Sequence, residues 1–269
     1  MSSGSPRLIG LPYDASSSYL RGAAAAPPRI REALRSPAWN QWDERNREVL
    51  GPDGLTDAGD LDLSIPAEAR DRIVAGVVAV LVGGARPIAL GGDHSVTYPV
   101  LQAVASRVAA QLTVLHIDAH PDLYDEFEGD RYSHACPFAR IMEEGLAARL
   151  IQVGIRTCNA EQRRQAERFG VEIIDMRAWV AGSRPQVEGA VYLSLDLDGL
   201  DPAFAPGVSH REPGGLSGRE VIGLIQDAGG RLIGADVVEY NPGQDLDGVT
   251  AVLAAKLVKE IAGRMLADA

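Results

Sequence analysis

The stretch LTVLHIDAHPD, residues 112–122, decides the fold. Its first seven residues are almost continuously apolar and too few for a helix of ordinary length, so they read as a strand buried on both faces. Such strands belong to parallel sheets covered by helices on two sides. The run then turns abruptly to Asp118, His120 and Asp122. In open parallel sheets the ligand crevice lies outside the carboxyl ends of the strands, which is where these side chains fall.

Working outward, similar short apolar runs bounded by Gly, Pro or Asp occur at 7–11, 87–90, 149–155, 171–174, 191–197 and 231–239. Between them, 67–82, 96–108, 161–169, 219–228 and 248–266 have helical periodicity, and another helix is expected to begin near Pro28. Ser217 and Glu220 stand in the relation of a capping box, which marks one helix start. In the last helix Val249, Val252, Leu253, Leu257, Ile261 and Met265 form a stripe that core packing explains. The polar segment 37–66 reads as a loop region. The expected class is α/β, three layers with a mostly parallel sheet. No repeat or linker divides the chain, so a single domain over residues 1–269 is expected.

Composition narrows the function classes. With 46% hydrophobic and 23% charged residues, the chain can bury a large core. Its net charge of −11 opposes a broad phosphate-binding surface, so neither nucleic acid nor anionic lipid is an expected partner. The longest strongly apolar stretch, 73–85, is shorter than the roughly 20 residues that span a bilayer. The first residues, MSSGSPRLIGLPYD, contain no continuous apolar segment of a secretory leader, and a cytoplasmic protein is expected. Cys136 and Cys158 have no metal-binding spacing and are expected to be reduced thiols.

The chemistry concentrates in GGDHS (91–95), DAHPD (118–122) and SLDLDGLDP (194–202), each at the end of an apolar strand. A single Asp after a strand is ordinarily a turn or cap residue, and Asp93 alone would be read so. The set cannot be read that way. Carboxylates gathered beside buried strands would repel one another and lose hydration without a compensating cation. A pair of divalent metals supplies it. Oxygen-rich ligation with some imidazole and no thiolate favours Mn²⁺, with Co²⁺, Ni²⁺ and Zn²⁺ as substitutes. Two such ions about 3.5–4 Å apart can share and acidify one water, which makes the chain a dinuclear metallohydrolase of unspecified substrate.

These three blocks resemble the signature blocks of the ureohydrolase family, which includes arginase, agmatinase, guanidinobutyrase and formimidoylglutamase. SSYLRGAAAAPPRIREAL and DVVEYNP extend the resemblance nearly end to end. It implies a binuclear manganese site in which His94 and Asp122 hold the first metal, His120 and Asp198 the second, and Asp118 and Asp196 bridge them. It further implies that His134, in YSHACPF, shuttles a proton to the leaving amine, and that Glu239, in VVEYNP, anchors the guanidinium. The implied reaction is hydrolysis of a guanidino C–N bond with release of urea, by a homo-oligomer, trimeric or hexameric.

The loops YDEFEGDRYSHACPFARIMEEG and FAPGVSHREPGGLS resemble the plant-type arginase and agmatinase-like branch, and L-arginine, cleaved to L-ornithine and urea, is preferred as substrate. Agmatine and other guanidino or formimidoyl compounds are the alternatives. His210 and Arg211 are candidates for meeting an α-carboxylate, and Asp125, Glu126 and Glu128 for meeting an amine. His116 shares the alternation face of Asp118 and His120, but is expected to pack or to hold a ligand in place. Asp93 and Asp201 are expected to fix loops, and Cys136 is not expected to be a nucleophile. Two other classes are a catalytically silent metal-binding relative and a two-metal phosphoesterase. The first conflicts with the complete set of reactive residues, the second with the lack of an Arg/Lys cluster for phosphate.

Overall fold

The computed structural model describes residues 4–108 and 111–268; residues 1–3, the start of the stretch read for a leader, lie outside them. Among the described residues, eight strands form one sheet: β1 (Pro6–Gly10), β2 (Thr56–Asp60), β3 (Arg86–Leu90), β4 (Leu112–Ile117), β5 (Arg149–Ile155), β6 (Glu172–Asp175), β7 (Ala190–Asp196) and β8 (Arg231–Val238). They run in the order β2-β1-β3-β8-β7-β4-β5-β6, and every adjacent pair is parallel. The expected three-layer α/β architecture is the one found.

Side-chain alternation sorts the strands between two cores. Leu8, Ile88, Leu115, Leu193 and Val237 point to one face, where α1 (Ala26–Leu34), α7 (Gly218–Asp227) and α8 (Val249–Ala267) cover them. Ile9, Ala89, Val114, Leu150 and Tyr192 point to the other, under α2 (Pro66–Val82), α3 (Thr97–Ala105), α4 (Pro137–Glu143) and α5 (Ala160–Phe169). The Ser217–Glu220 capping box is fully formed at the start of α7. No helix among the described residues is long and apolar enough to cross a membrane.

Three details depart from the sequence reading. The region 37–66 is not all loop: TDAGD forms β2, an edge strand exposed along its whole length. With no buried face it has no alternation of large apolar residues to announce it, and its pairing comes from the backbone of β1. The short helices α4 and α6 (Met176–Val180) were not expected, being too brief for periodicity to show. On α8, Leu257, Ile261 and Met265 are fully buried, whereas Val249 and Val252 of the same stripe face solvent at 47% and 42% exposure.

Candidate active site

Strands β3, β8, β7 and β4 are consecutive across the middle of the sheet, and their carboxyl ends carry all the expected site residues except His134, which lies on the loop between β4 and α4. Local turn chemistry aims the side chains. Asp196 ends β7 and accepts the Asp198 N–H at 2.7 Å through Oδ1, which closes a short 3-10 turn and leaves Oδ2 directed inward. Asp118 does the same beyond β4, its Oδ1 accepting the His120 N–H at 2.6 Å. Asp198 Oδ1 takes the Ala119 N–H at 3.2 Å. Each carboxylate therefore has one oxygen tied to the backbone; Asp196 and Asp198 present the other to a common centre, and Asp118 faces it with both.

That centre has two halves joined by Asp118. In one, His94 Nδ1 lies 3.2, 3.0 and 3.1 Å from the Oδ2 atoms of Asp118, Asp122 and Asp196. In the other, His120 Nδ1 is 3.1 Å from Asp198 Oδ2 and 3.4 Å from Asp118 Oδ1. Asp118 and His94 are fully buried, and Asp122, Asp196 and Asp198 nearly so. Donor atoms of Asp118, His120 and Asp198 gather within 4.8 Å of one another, as do those of His94, His116 and Asp118.

The hydrogen bonds assign the tautomer of His94. Ser194 Oγ donates to Asp236 Oδ1 at 2.8 Å, so it accepts from His94 Nε2 at 3.0 Å, and the ring proton sits on Nε2. Nδ1 then carries a lone pair. It is buried and makes no aligned hydrogen bond, although three carboxylate oxygens surround it. A lone pair directed among carboxylate oxygens is the arrangement a divalent cation requires, so the residues present fit the metals that the sequence implies.

Charge is strained here in the same sense. Burial, then the charges of Asp198 and Asp118, push the Asp196 carboxyl well above its ordinary range. Burial also raises Asp198, to about 6, against the pull of His120. Asp118 stays well below the usual range because His116, His120 and His94 outweigh the opposing effect of burial. The surrounding carboxylates of Asp118, Asp122 and Asp196 raise His94 despite its burial, so that a proton competes for its Nδ1 lone pair when no cation is held there. The cluster thus holds more negative charge than its histidines neutralise, the condition under which a bound cation becomes the dominant local charge.

His116 occupies the expected supporting place. Its Nε2 is 2.7 Å from Asp118 Oδ2, its Nδ1 faces Gln152 Nε2 at 3.0 Å, and its ring stacks on Phe138. Beside the cluster, His134 Nδ1 lies 3.0 Å from Glu239 Oε1, and the same oxygen accepts the His94 N–H at 2.9 Å. Glu239 holds a left-handed backbone, φ 62°, which turns its carboxylate back towards the site. Burial opposes charge on His134, yet Glu239 raises it to about 9. In turn His134 keeps Glu239 below its ordinary value against the effect of burial.

At the mouth the loop candidates separate. His210 faces the site, its ring centroid 5.3 Å from that of His134 and 5.9 Å from that of His120. Arg211 turns away, its guanidinium donating to Pro206 O and Gln244 O at 2.8 and 2.9 Å. Asp125 is also diverted, pairing with Arg140 and Arg131. Glu126 and Glu128 are exposed loop side chains. Asp93 and Asp201 fix loops as expected, Asp93 holding Ser16 and Ser95, and Asp201 holding Gly214 and Gly215. Burial pushes the Cys136 thiol up to about 12, far from a nucleophile.

Several supporting residues escaped the sequence reading. Ser194 and Asp236 share the strand face of His116 and Asp196, so alternation could have found them. Ser18, whose Oγ lies 2.8 Å from His134 Nε2, falls within the SSYLRGAAAAPPRIREAL stretch, yet nothing in that stretch marks it as a site residue.

A parallel α/β sheet with an acidic, imidazole-containing cluster at its central strand ends, and a His–Glu pair beside it, defines a candidate metallohydrolase. The Arginase family profile matches residues 5–263. The chain is 47% identical to "Arginase 1, mitochondrial" of Arabidopsis thaliana, an alignment that covers 97% of this chain and 81% of that one. It is 33% identical to "Agmatinase, mitochondrial" of Gallus gallus, covering 94% and 78%. Among solved structures, the arginase from Medicago truncatula superposes with a TM-score of 0.94 at 43% identity, covering 98% of this chain and 88% of that one. The chain belongs to the Arginase family.

These relatives correct one expectation. Both sequence relatives are mitochondrial by name, which overturns the cytoplasmic reading. That reading rested on the lack of an apolar leader, a feature that does not distinguish cytosol from organelle.

Proposed function

We propose that this protein is an arginase that cleaves the guanidino C–N bond of L-arginine to give L-ornithine and urea, as one domain spanning the chain and with two Mn²⁺ ions. The observation that carries the reading is Asp118, buried between His94 and His120 with one oxygen towards each. His94, Asp122, Asp118 and Asp196 would hold one metal; His120, Asp198 and the same two carboxylates would hold the other. When bound, the metals supply a nucleophilic water at neutral pH and stabilise developing negative charge.

The remaining work falls to the chain itself. The Glu239 carboxylate suits a planar guanidinium with paired N–H donors and orients it at the cluster. His134, held by Glu239 through Nδ1, carries at Nε2 the proton that the departing amine needs. The greater similarity to an arginase, 47% against 33% to an agmatinase, supports L-arginine. Homo-oligomeric assembly belongs to this proposal as a family expectation.

One observation favours agmatine as a second reading. Arg211, the cation expected to meet an α-carboxylate, is committed to backbone carbonyls. Urea release by the Mn²⁺-loaded protein from L-arginine, agmatine and 4-guanidinobutyrate tests both. Preference for L-arginine is expected; preference for agmatine replaces arginase by agmatinase, and release from none of them removes the substrate assignment.

A further inference from the structure

Nε2 is the one ring position at which His134 is free to exchange a proton, because Nδ1 is engaged by Glu239. Among the described residues, both polar contacts of Nε2 come from Ser18: the hydroxyl at 2.8 Å and the backbone N–H at 3.2 Å. His134 is nearly buried, whereas Ser18 is exposed. Ser18 therefore joins a buried imidazole to solvent.

The placement is built on both sides. Upstream, Tyr13 O accepts the Asp93 N–H at 2.8 Å, and it packs so closely on Gly92 that a Cβ there would lie 1.6 Å from it. The buried Asp93 carboxylate accepts from the Ser16 N–H at 3.0 Å and from Ser17 Oγ at 3.3 Å, and Ser16 O accepts the His134 N–H at 3.2 Å. Downstream, Ser209 Oγ donates to Leu20 O at 2.8 Å, and Asn241 Nδ2 to Arg21 O at 3.3 Å. Ser18 stands between these two sets of anchors, so its position over Nε2 is set by five residues outside its own loop: Gly92, Asp93, His134, Ser209 and Asn241.

The two contacts do different things. The N–H can only donate, so it favours a neutral ring whose proton is on Nδ1 facing Glu239. The hydroxyl can donate to neutral Nε2 or accept from a protonated one, and so serves both states of the ring. Resting on the reading of His134 as the proton carrier, we propose that the Ser18 hydroxyl is the relay through which His134 exchanges its proton with solvent. A hydronium ion or buffer acid gives a proton to Oγ while the Ser18 O–H proton moves to Nε2. The acid's bond to hydrogen and the original Ser18 O–H bond break as a new Ser18 O–H bond and the Nε2–H bond form, and the reverse sequence returns the proton.

The test uses the metal-loaded protein with saturating substrate. Ser18→Ala keeps the N–H and removes the relay; kcat is expected to fall about 10- to 100-fold, at or below the lower end of general acid–base effects, with KM unchanged. Added imidazole, a small proton carrier, is expected to restore kcat in Ser18→Ala and not to alter the wild type. Ser18→Thr keeps a hydroxyl and is expected to retain turnover. A kcat for Ser18→Ala equal to wild type overturns the inference. So does a fall with raised KM that imidazole does not rescue, since that reports a disordered loop. A wild-type protein that releases urea from no guanidine instead removes the functional reading beneath it.

Discussion

The floor of the site and its mouth are built on different principles. On the floor, His94, Asp118, Asp196 and Asp198 sit at the ends of the central strands β3, β4 and β7, buried, with one oxygen of each of these three carboxylates tied to a backbone N–H. At the mouth, His210, Arg211, Asp125 and Ser18 lie on long loops whose contacts run between distant segments. Strand geometry sets where a floor residue points, while a mouth residue depends on anchors elsewhere in the chain.

The largest effect is expected where the two halves of the floor meet. Asp118→Ala removes the carboxylate shared by His94 and His120, and both metal content by elemental analysis and urea release should collapse together. Retention of two metals per chain would break the contrast at its strongest point. Next comes His134→Asn, at the boundary between floor and mouth: with metal content unchanged, kcat should fall roughly 10²- to 10⁴-fold, the size of general acid–base effects.

Behind the floor, Ser194→Ala removes the hydroxyl that fixes the His94 tautomer. Metal affinity should drop about 10- to 100-fold, as for other groups that orient metal ligands, with the fold intact by circular dichroism. An unchanged affinity in a metal titration would show that His94 needs no orienting partner. At the mouth, Arg211→Ala should leave KM for L-arginine unchanged, since its guanidinium already serves Pro206 and Gln244. A large rise in KM would restore Arg211 as a substrate contact.

A small effect on stability alone lies outside both regions. The Arg219 hydrogen bond, aided by Lys256 against slight burial, lowers Glu44 to about 2 from its ordinary 4.5. A carboxyl depressed in the folded state contributes stability that is present above 4.5 and fades as pH falls towards about 2. Arg219→Ala should therefore cost no more than about 1 kcal/mol at neutral pH, as exposed pairs do. The gap in denaturation midpoint between variant and wild type should close on acidification, and a gap that widens would contradict the assignment.

The same contrast explains what could be read from residues alone. Strand β5 was legible to its boundaries, and β4 and β7 to within a residue at each end, because their apolar runs meet a charged residue, Arg156, Asp118 and Asp196. The candidate donor residues stood out because a cluster of acids beside buried strands has no ordinary structural explanation. β2 was not, since an edge strand whose residues are all exposed has no hydrophobic pattern. Arg211 and Asp125 looked available because their partners, the Gln244 carbonyl and the Arg140 side chain, are brought to them only by tertiary folding. Ser18 stayed hidden because its meaning depends on His134, 116 residues away.

The central claim is that the buried carboxylates form a two-metal floor. Anomalous scattering from a crystal of the Mn²⁺-loaded protein tests it most directly. Two peaks are predicted, one beside His94 Nδ1 with Asp122 and one beside His120 Nδ1 with Asp198, with Asp118 and Asp196 touching both. A single peak, or peaks away from these six residues, would contradict the account.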